Sequence, residues 1–288
     1  MHTKVAIIIV TYNPDIKELN NNISSYVFQS DLIVIVDNST DKKIQNSIKN
    51  TFNTFANITV ITLEDNYGIA KAQNIGLKHA IENGYEYFIE MDQDSELTDN
   101  YIKNITKSYT SLLDSVGLVA GIGPVAVNKK DNSKYHNRDT STHLIEIDKT
   151  LSSGFFLSKE ALHRVGFKDE ILFIDLVDWE WCWRAKSKGL KVYVDTTLTI
   201  NHLLGEGHKN FYFFKLGIPL PFRHYYQYRN SLILSFRSYI PLDWKIKRMA
   251  IHLIKPIFII FFYDKKFERF KYIIRGVLHG ISTRRRGK

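Results

Sequence analysis

Cysteine is almost missing from this chain: Cys182 is the only one in 288 residues. A disulfide framework is therefore excluded, and a reducing compartment fits. Flanked by Trp181 and Trp183 and without a partner motif, the thiol reads as packing. Proline and glycine are sparse, at 6 and 15 residues, which excludes collagen-like and low-complexity classes. No internal repeat is present, so solenoids are excluded too. The markers of several common chemistries are also absent. There is no G-x-x-x-x-G-K-[ST] phosphate loop, no G-x-S-x-G elbow, no H-E-x-x-H and no C-x-x-C. The Gly-x-Gly from Gly121 to Gly123 runs into Pro124 and cannot open a helix, which argues against a dinucleotide-dependent oxidoreductase. Met1-His2-Thr3-Lys4 leads directly into an apolar strand, without the order of a signal peptide, and the chain is expected to be unprocessed.

What is present begins with an uneven charge. The net charge is +9, yet Lys245 to Lys288 holds 13 Lys or Arg against 2 Asp or Glu, so the body is nearly neutral and the tail is basic. A basic tail implies an anionic partner. At 44% hydrophobic, the chain can bury a large core. Its first half alternates strand and helix signals. Val5 to Val10, Leu32 to Val36, Ile58 to Leu63 and Tyr85 to Met91 are apolar runs, as strands buried on both faces of a parallel sheet require. Helical segments lie between them, at Asp15 to Phe28, Asp41 to Phe52 and Ile69 to Glu82. This order predicts an α/β fold with a mostly parallel, doubly wound sheet. Further on, helices are expected over Asp99 to Leu113, Ser158 to Val165 and Asp178 to Lys188. Strands are expected over Gly117 to Val127 and Lys191 to Val194. The segments Asn128 to Thr142 and Gly205 to Pro221 read as loops.

Ligands of such sheets sit beyond the carboxyl ends of the strands. Those ends read Thr11-Tyr12-Asn13-Pro14, Asp37-Asn38-Ser39, Glu64-Asp65-Asn66-Tyr67-Gly68 and Asp92-Gln93-Asp94. Any one of them could be an ordinary turn or helix cap. Four on one edge point to a polar ligand cleft. In Asp92-Gln93-Asp94, two carboxylates one residue apart can share a hard divalent cation, Mg²⁺ or Mn²⁺, which also binds diphosphates. His202, in Thr199-Ile200-Asn201-His202, can complete that shell. A second acidic cluster, Asp175-Leu176-Val177-Asp178-Trp179-Glu180, opens a helix. A carboxylate there can serve as general base for a hydroxyl nucleophile, and tryptophan faces can stack on sugar rings. A non-catalytic carbohydrate-binding protein would account for the tryptophans but not for two acidic clusters.

Taken in order, these pieces resemble family 2 glycosyltransferases of the GT-A fold, more narrowly their bacterial rhamnosyltransferase-like branch. The resemblance rests on Val10-Thr11-Tyr12-Asn13, Val36-Asp37-Asn38-Ser39, Asn66-Tyr67-Gly68-Ile69-Ala70 with Asn74 and Gly76, Asp92-Gln93-Asp94, Ser153-Gly154, and Asp178-Trp179-Glu180 followed by Arg184-Ala185. Arg223-His224-Tyr225-Tyr226 with Arg229-Asn230 also resembles this branch. The resemblance implies that Thr11, Tyr12 and Asn13 line the base and ribose pocket and that Asp37 bonds the pyrimidine. It implies Asn66, Gly68 and Asn74 along the diphosphate or ribose, Asp92 toward ribose or sugar, and Asp94 with His202 on the metal. Asp178 is the implied general base. Glu180, Trp179, Ser153 and Gly154 are implied on the acceptor side. The implied reaction is a single inverting displacement from a nucleotide diphosphate sugar, dTDP-rhamnose first and a UDP-hexose or UDP-galactofuranose second. The implied acceptor is a glycan or polyprenyl-linked glycan of a surface polysaccharide. Nothing resembles the C-terminal Q-x-x-R-W pattern of processive synthases, which implies one transfer per acceptor.

The expected organisation is a GT-A catalytic domain over 1–243 and a basic helical extension over 244–288. Met249 to Tyr263 is shorter than the roughly 20 apolar residues of a membrane span and contains Lys255 and Pro256. Phe267, Phe270, Ile273, Ile274, Val277, Leu278 and Ile281 recur at helical spacing among basic residues, the pattern of a helix lying in the headgroup plane. The protein is therefore expected to be cytoplasmic, held peripherally at the inner face of the plasma membrane. Nucleic acid is not expected as a partner, since no binding motif accompanies the charge.

Overall fold

A computed structural model describes residues 3–129, 133, 142–202, 208–211 and 214–286. The four apolar runs form parallel strands β1 (Val5–Thr11), β2 (Leu32–Asp37), β3 (Ile58–Thr62) and β4 (Tyr87–Asp92). Helices α1 (Ile16–Ser24), α2 (Lys42–Phe52) and α3 (Gly68–Glu82) connect them. Asp15 and Asp41 cap the first two helices by accepting from Glu18 N and Lys43 N, the usual way to satisfy first-turn amides.

Alternate residues of β1 show why its sequence is unbroken. Val5, Ile7 and Ile9 enter one core with Leu19, Ile23, Ile48 and Phe52. Ala6 and Ile8 enter a second core with Ala72, Leu77 and Trp181 on the opposite face. Both faces of the strand are covered, so neither carries polar residues.

The second half is mixed. After the two-residue strand β5 (Glu96–Leu97) come α4 (Tyr101–Val116), β6 (Val119–Asn128), β7 (Leu144–Ile147), β8 (Phe155–Ser158), α5 (Lys159–Val165), α6 (Val177–Ser187) and β9 (Lys191–His202). The sheet order is β3-β2-β1-β4-β8-β6-β9-β5, with β7 also on β9. Strand β8 runs antiparallel to β4 and β6, whereas β6 and β9 are parallel.

Two local expectations differ from the structure. The short strand expected at Lys191 to Val194 continues to His202. Asp195 accepts from the backbone and hydroxyl of Thr197 at 2.9 and 2.6 Å, and the pairing with β6 shifts register there. This irregularity makes Asp195-Thr196-Thr197 look like a turn in sequence. In the expected loop at 205–221, β10 (His208–Phe211) and β11 (Phe214–Gly217) pair as an antiparallel hairpin. Residues 205–207 and 212–213 of that loop, and most of the loop expected at 128–142, lie outside the described residues.

Three helices close the chain: α7 (Arg223–Ser235), α8 (Leu242–Phe262) and α9 (Lys266–Arg286). Helix α8 is fastened to the body by Trp244, whose ring centroid is 5.0 Å from that of Trp183 on α6. Helix α9 lies against α7 through Gly276 and Gly280. A Cβ at those positions would come within 2.5 Å of the Tyr225 oxygen and 2.9 Å of the Leu232 side chain. Among the described residues no helix is long and apolar enough to cross a membrane.

Candidate active site

Thr11 and Asp37 are register partners at the ends of β1 and β2. Asp37 is fully buried, and its Oδ1 accepts from Thr11 Oγ1 at 2.9 Å, Ser39 Oγ at 2.6 Å and Ser39 N at 3.1 Å. Its second oxygen, Oδ2, is buried without a hydrogen-bond partner. A buried carboxylate oxygen left in that state is costly unless a ligand N–H meets it. Beside it Asn13 takes a left-handed φ of 45° and donates from its backbone to Ser39 Oγ at 2.8 Å. Tyr12, 47% exposed, is fixed through its backbone N–H to Gln93 Oε1 at 2.8 Å. Thr11, Tyr12, Asn13 and Asp37 thus lie together at the carboxyl ends of β1 and β2.

Asp92, Asp94 and His202 come together although His202 is distant in sequence. One ligand atom from each lies within 4.8 Å of the others, a spacing suited to one cation. Two carboxylates and an imidazole suit Mg²⁺ or Mn²⁺. The continuation of β9 brings this about, since its Asn201 pairs with Glu96 of β5, just beyond the Asp92-Gln93-Asp94 turn. His202 Nδ1 is 3.1 Å from Asp94 Oδ1 and 2.8 Å from Ser95 Oγ, and Ser95 accepts from Ser153 Oγ at 2.7 Å. Burial pushes the His202 imidazole down, but the bond to Asp94 and the charges of Asp92 and Asp94 outweigh it, and its pKa rises. Burial pushes the Asp92 carboxyl up to about 6 against the pull of His202.

A cleft of about 410 Å³ runs from Asp92 to Asp178, with Gln73, Ser152, Asp175 and Trp179 also in its walls. Asp178 sits in the first turn of α6, its Oδ1 accepting from Trp179 N at 2.9 Å. Desolvation pushes its carboxyl up to about 7, opposed by that backbone bond and by Lys168. A carboxylate with a pKa near neutrality is suited to remove a proton from a hydroxyl.

The turn before α6 is strained. Phe173, Asp175 and Leu176 all have positive φ, at 62°, 67° and 68°. Asn230 of α7 holds it: its side-chain amide donates to the oxygens of Leu172, Ile174 and Asp175 at 2.8, 2.8 and 3.0 Å. Asn230 is fully buried. Sequence reading assigned it no role, and the only signal was its place in the Arg229-Asn230 pair.

Other expected site residues have structural partners. Asn74 is buried against the 168–170 segment, bonding Lys168 N, Lys168 O and Glu170 at 2.9 Å each, and so positions the wall behind the cleft. Gly68, with φ of 83°, lets the Phe173 carbonyl approach, and a Cβ there would lie 2.6 Å from that oxygen. Asn66 Oδ1 caps Gly68 N at 3.0 Å. Glu180 faces inward, fully buried, and bonds Arg184 at 2.9 Å, Arg237 at 3.1 Å and Tyr239 at 2.5 Å. Its charge anchors α6 and does not line the cleft. Ser153 orients Ser95 below the metal trio. Gly154, with φ of 77°, admits Pro124 and Tyr101, while Leu151 and Ser152 are the neighbours that face the cleft. Trp179 is half-buried beside the cleft, with Lys149 Nζ 4.0 Å from its ring centroid. Trp181 and Trp183 are core.

The chain is 32% identical to the dTDP-rhamnosyl transferase RfbF of Shigella flexneri over 294 residues, covering 98% of this chain and 96% of that one. Among solved structures it is similar to S. aureus TarS 1-349 in complex with UDP-GlcNAc, at TM-score 0.56 and 16% identity, covering 97% of this chain and 81% of that one. It is also similar to GalNAc-T7 with UDP, GalNAc and Mn²⁺, at TM-score 0.58 and 14% identity over 88% of this chain. The match spans 56% of the GalNAc-T7 chain. The family model for glycosyl transferase family 2 matches residues 6–166. The chain belongs to glycosyl transferase family 2.

Proposed function

We propose that this glycosyltransferase moves rhamnose from dTDP-rhamnose to a hydroxyl of a lipid-linked glycan, with inversion at the anomeric carbon. The observation that carries the reading is the single cleft joining Asp178 to Asp92, whose neighbours Asp94 and His202 complete the trio. Asp37 Oδ2 meets the N–H of the thymine ring, and Tyr12 and Asn13 frame base and ribose. Asp92, Asp94 and His202 would hold Mg²⁺ or Mn²⁺, which would neutralise charge on the diphosphate. Asp178 takes the proton of the acceptor hydroxyl as its oxygen bonds the anomeric carbon. The bond from that carbon to the diphosphate oxygen breaks on the opposite face, and dTDP leaves with the electron pair. One displacement inverts configuration and needs no covalent enzyme intermediate. The 32% identity to a dTDP-rhamnosyl transferase supports the donor.

The closing helices support a membrane-surface location. Leu253, Ile257 and Phe261 of α8 are 79%, 54% and 70% exposed, and Phe267 and Leu278 of α9 are 93% and 60% exposed. This apolar surface lies in the most basic part of the chain, a combination suited to anionic lipid.

The test is turnover of a nucleotide-sugar panel, dTDP-rhamnose, UDP-glucose and UDP-galactofuranose, by mass spectrometry with Mn²⁺ or EDTA. Release of dTDP from dTDP-rhamnose alone, lost in EDTA, is the expected result. Preference for a UDP-sugar would replace the donor, and full turnover in EDTA would remove the metal.

A further inference from the structure

Helix α8 is turned against the ordinary rule for an amphipathic helix. Its outward side carries Ile246, Leu253, Ile257, Ile260 and Phe261. Its inward stripe reads Trp244, Arg248, His252, Lys255 and Ile259, with Trp244, His252 and Ile259 buried and the two cations half-buried among them. Placing cations inward costs desolvation that apolar residues would avoid.

The cations also lack countercharge. Arg248 Nε donates to Ser231 Oγ at 3.1 Å and Lys255 Nζ to Gln227 Oε1 at 2.8 Å, both neutral partners. Neither bonds a carboxylate among the described residues. The carboxylate that acts on both, Asp175, is already in an ion pair with Arg223. Burial first, then the positive charge of Arg248, pushes Lys255 down to about 8, and burial pushes Arg248 down as well.

Arg223 and Arg248 both line the cleft that holds Asp178. Arg248 also lies close enough to lower Lys149, the lysine over the Trp179 ring. The cationic wall therefore adjoins the general base and Trp179. The metal trio reaches the same cleft only through Asp92.

We infer that Arg223 and Arg248, backed by Lys255, form a subsite for the phosphate of the acceptor, distinct from the place of the donor diphosphate. The inference rests on the transferase reading above and names the acceptor class: a glycan carried on a lipid phosphate or diphosphate. Its headgroup supplies the missing negative charge, and its chain leads to the apolar outer side of the same helix. A guanidinium fork suits phosphate, which explains arginine at both cleft positions.

The shared chemistry is a diphosphate, and the test separates its two sources. Binding of farnesyl diphosphate, inorganic pyrophosphate and dTDP to the full chain is measured by calorimetry, the first two in EDTA and dTDP with Mn²⁺. Expected are binding of farnesyl diphosphate without metal, displacement by pyrophosphate, and a loss of about tenfold or more in Arg248→Gln, the scale of one charge-assisted pair. Affinity for dTDP should shift less than about twofold on that scale. Equal weakening of dTDP would return the cations to the donor site. Absence of farnesyl diphosphate binding in EDTA would remove the subsite. Arg248→Lys keeps the charge without the fork and should retain part of the affinity, so the result stands even where Arg248→Gln fails to fold. Failure of dTDP-rhamnose turnover by the unaltered protein would overturn the donor reading alone, since the metal-free binding does not depend on it.

Discussion

The side-chain nitrogen of Asn230 lies 3.0 Å from the main-chain oxygen of Asp175, three residues before Asp178, the proposed general base. With its bonds to Leu172 and Ile174 it ties α7 to a turn whose backbone would otherwise relax out of the left-handed region. Asn230→Leu leaves the Ile174 and Asp175 carbonyls without their donor, while Leu172 keeps Arg229 and the Ile174 N–H. Asp178 should then lose its placement, and turnover should fall about 10²-fold, as small misplacements of reacting groups do. The KM for donor should change little, because the Asp37 pocket is built on other strands. Steady-state kinetics separate the two, and a rise in KM with unchanged kcat would mean that the turn serves binding.

The raised pKa of Asp178 fixes two signs. As base it must be ionised, so activity should rise with pH through about 7. Its folded pKa lies above the ordinary carboxylate value, so the native state favours the protonated form. The cost of ionising it in place is therefore present above about 7 and fades as pH falls toward the unfolded value near 4. Asp178→Asn should lose transfer by about 10²–10⁴-fold. It should also be more stable at pH 8, by roughly 1–2 kcal/mol, with the gain shrinking through pH 5 and vanishing near pH 4. Thermal melts across that range check it, and a gain largest at low pH would reverse the assignment.

The metal trio predicts graded losses. Asp94→Ala should abolish activation by Mn²⁺ and weaken Mn²⁺ binding seen by electron paramagnetic resonance. Ser95 bonds His202 and Asp94 but is not itself one of the three candidate ligands. Ser95→Ala should lower metal affinity by about tenfold, as loss of an orienting partner does. Unchanged Mn²⁺ affinity in both variants would separate the carboxylate pair from any metal.

Much of the strand-end edge was readable in sequence because it depends on short-range pattern. Apolar runs set the strands, and each polar residue that ended one, from Thr11 to Asp94, arrived at the same edge. The cleft wall opposite was not readable. Asn230 acts across more than 50 residues, and no local pattern marks which carbonyls it will meet. The sequence marks Met249 to Tyr263 as too short for a membrane span but not which side of α8 turns inward, so its basic inner stripe carries no local signal. Sequence reading did not show that Glu180 would pair with Arg184 and Arg237 in the interior.

Glu90 and Lys168 form a buried pair at 2.8 Å beneath the cleft, with side chains 0% and 1% exposed. Burial pushes the Glu90 carboxyl up, against the pull of Lys168. Removing the cation alone strands a carboxyl in the core. Lys168→Met should cost about 3–5 kcal/mol, and adding Glu90→Gln should recover much of it. Urea denaturation of both variants measures the difference, and equal destabilisation by the single and double changes would show that the pair is not coupled.

The outward side of α8 gives the last prediction. Cutting the chain before α8 would uncover Trp183 and take Arg248 from the cleft, so removal of the tail confuses folding with binding. Leu253→Ser with Phe261→Ser alters only exposed positions, 79% and 70% accessible, and should leave the melting temperature within about 2 °C. Loss of two large apolar side chains from a lipid contact removes on the order of 3–4 kcal/mol of binding. Cosedimentation with phosphatidylglycerol vesicles should therefore fall by more than about tenfold at low salt. Raising the salt should weaken the unaltered protein too, since the tail charges are screened. Equal sedimentation of variant and unaltered protein would mean that the apolar side of α8 faces something other than lipid.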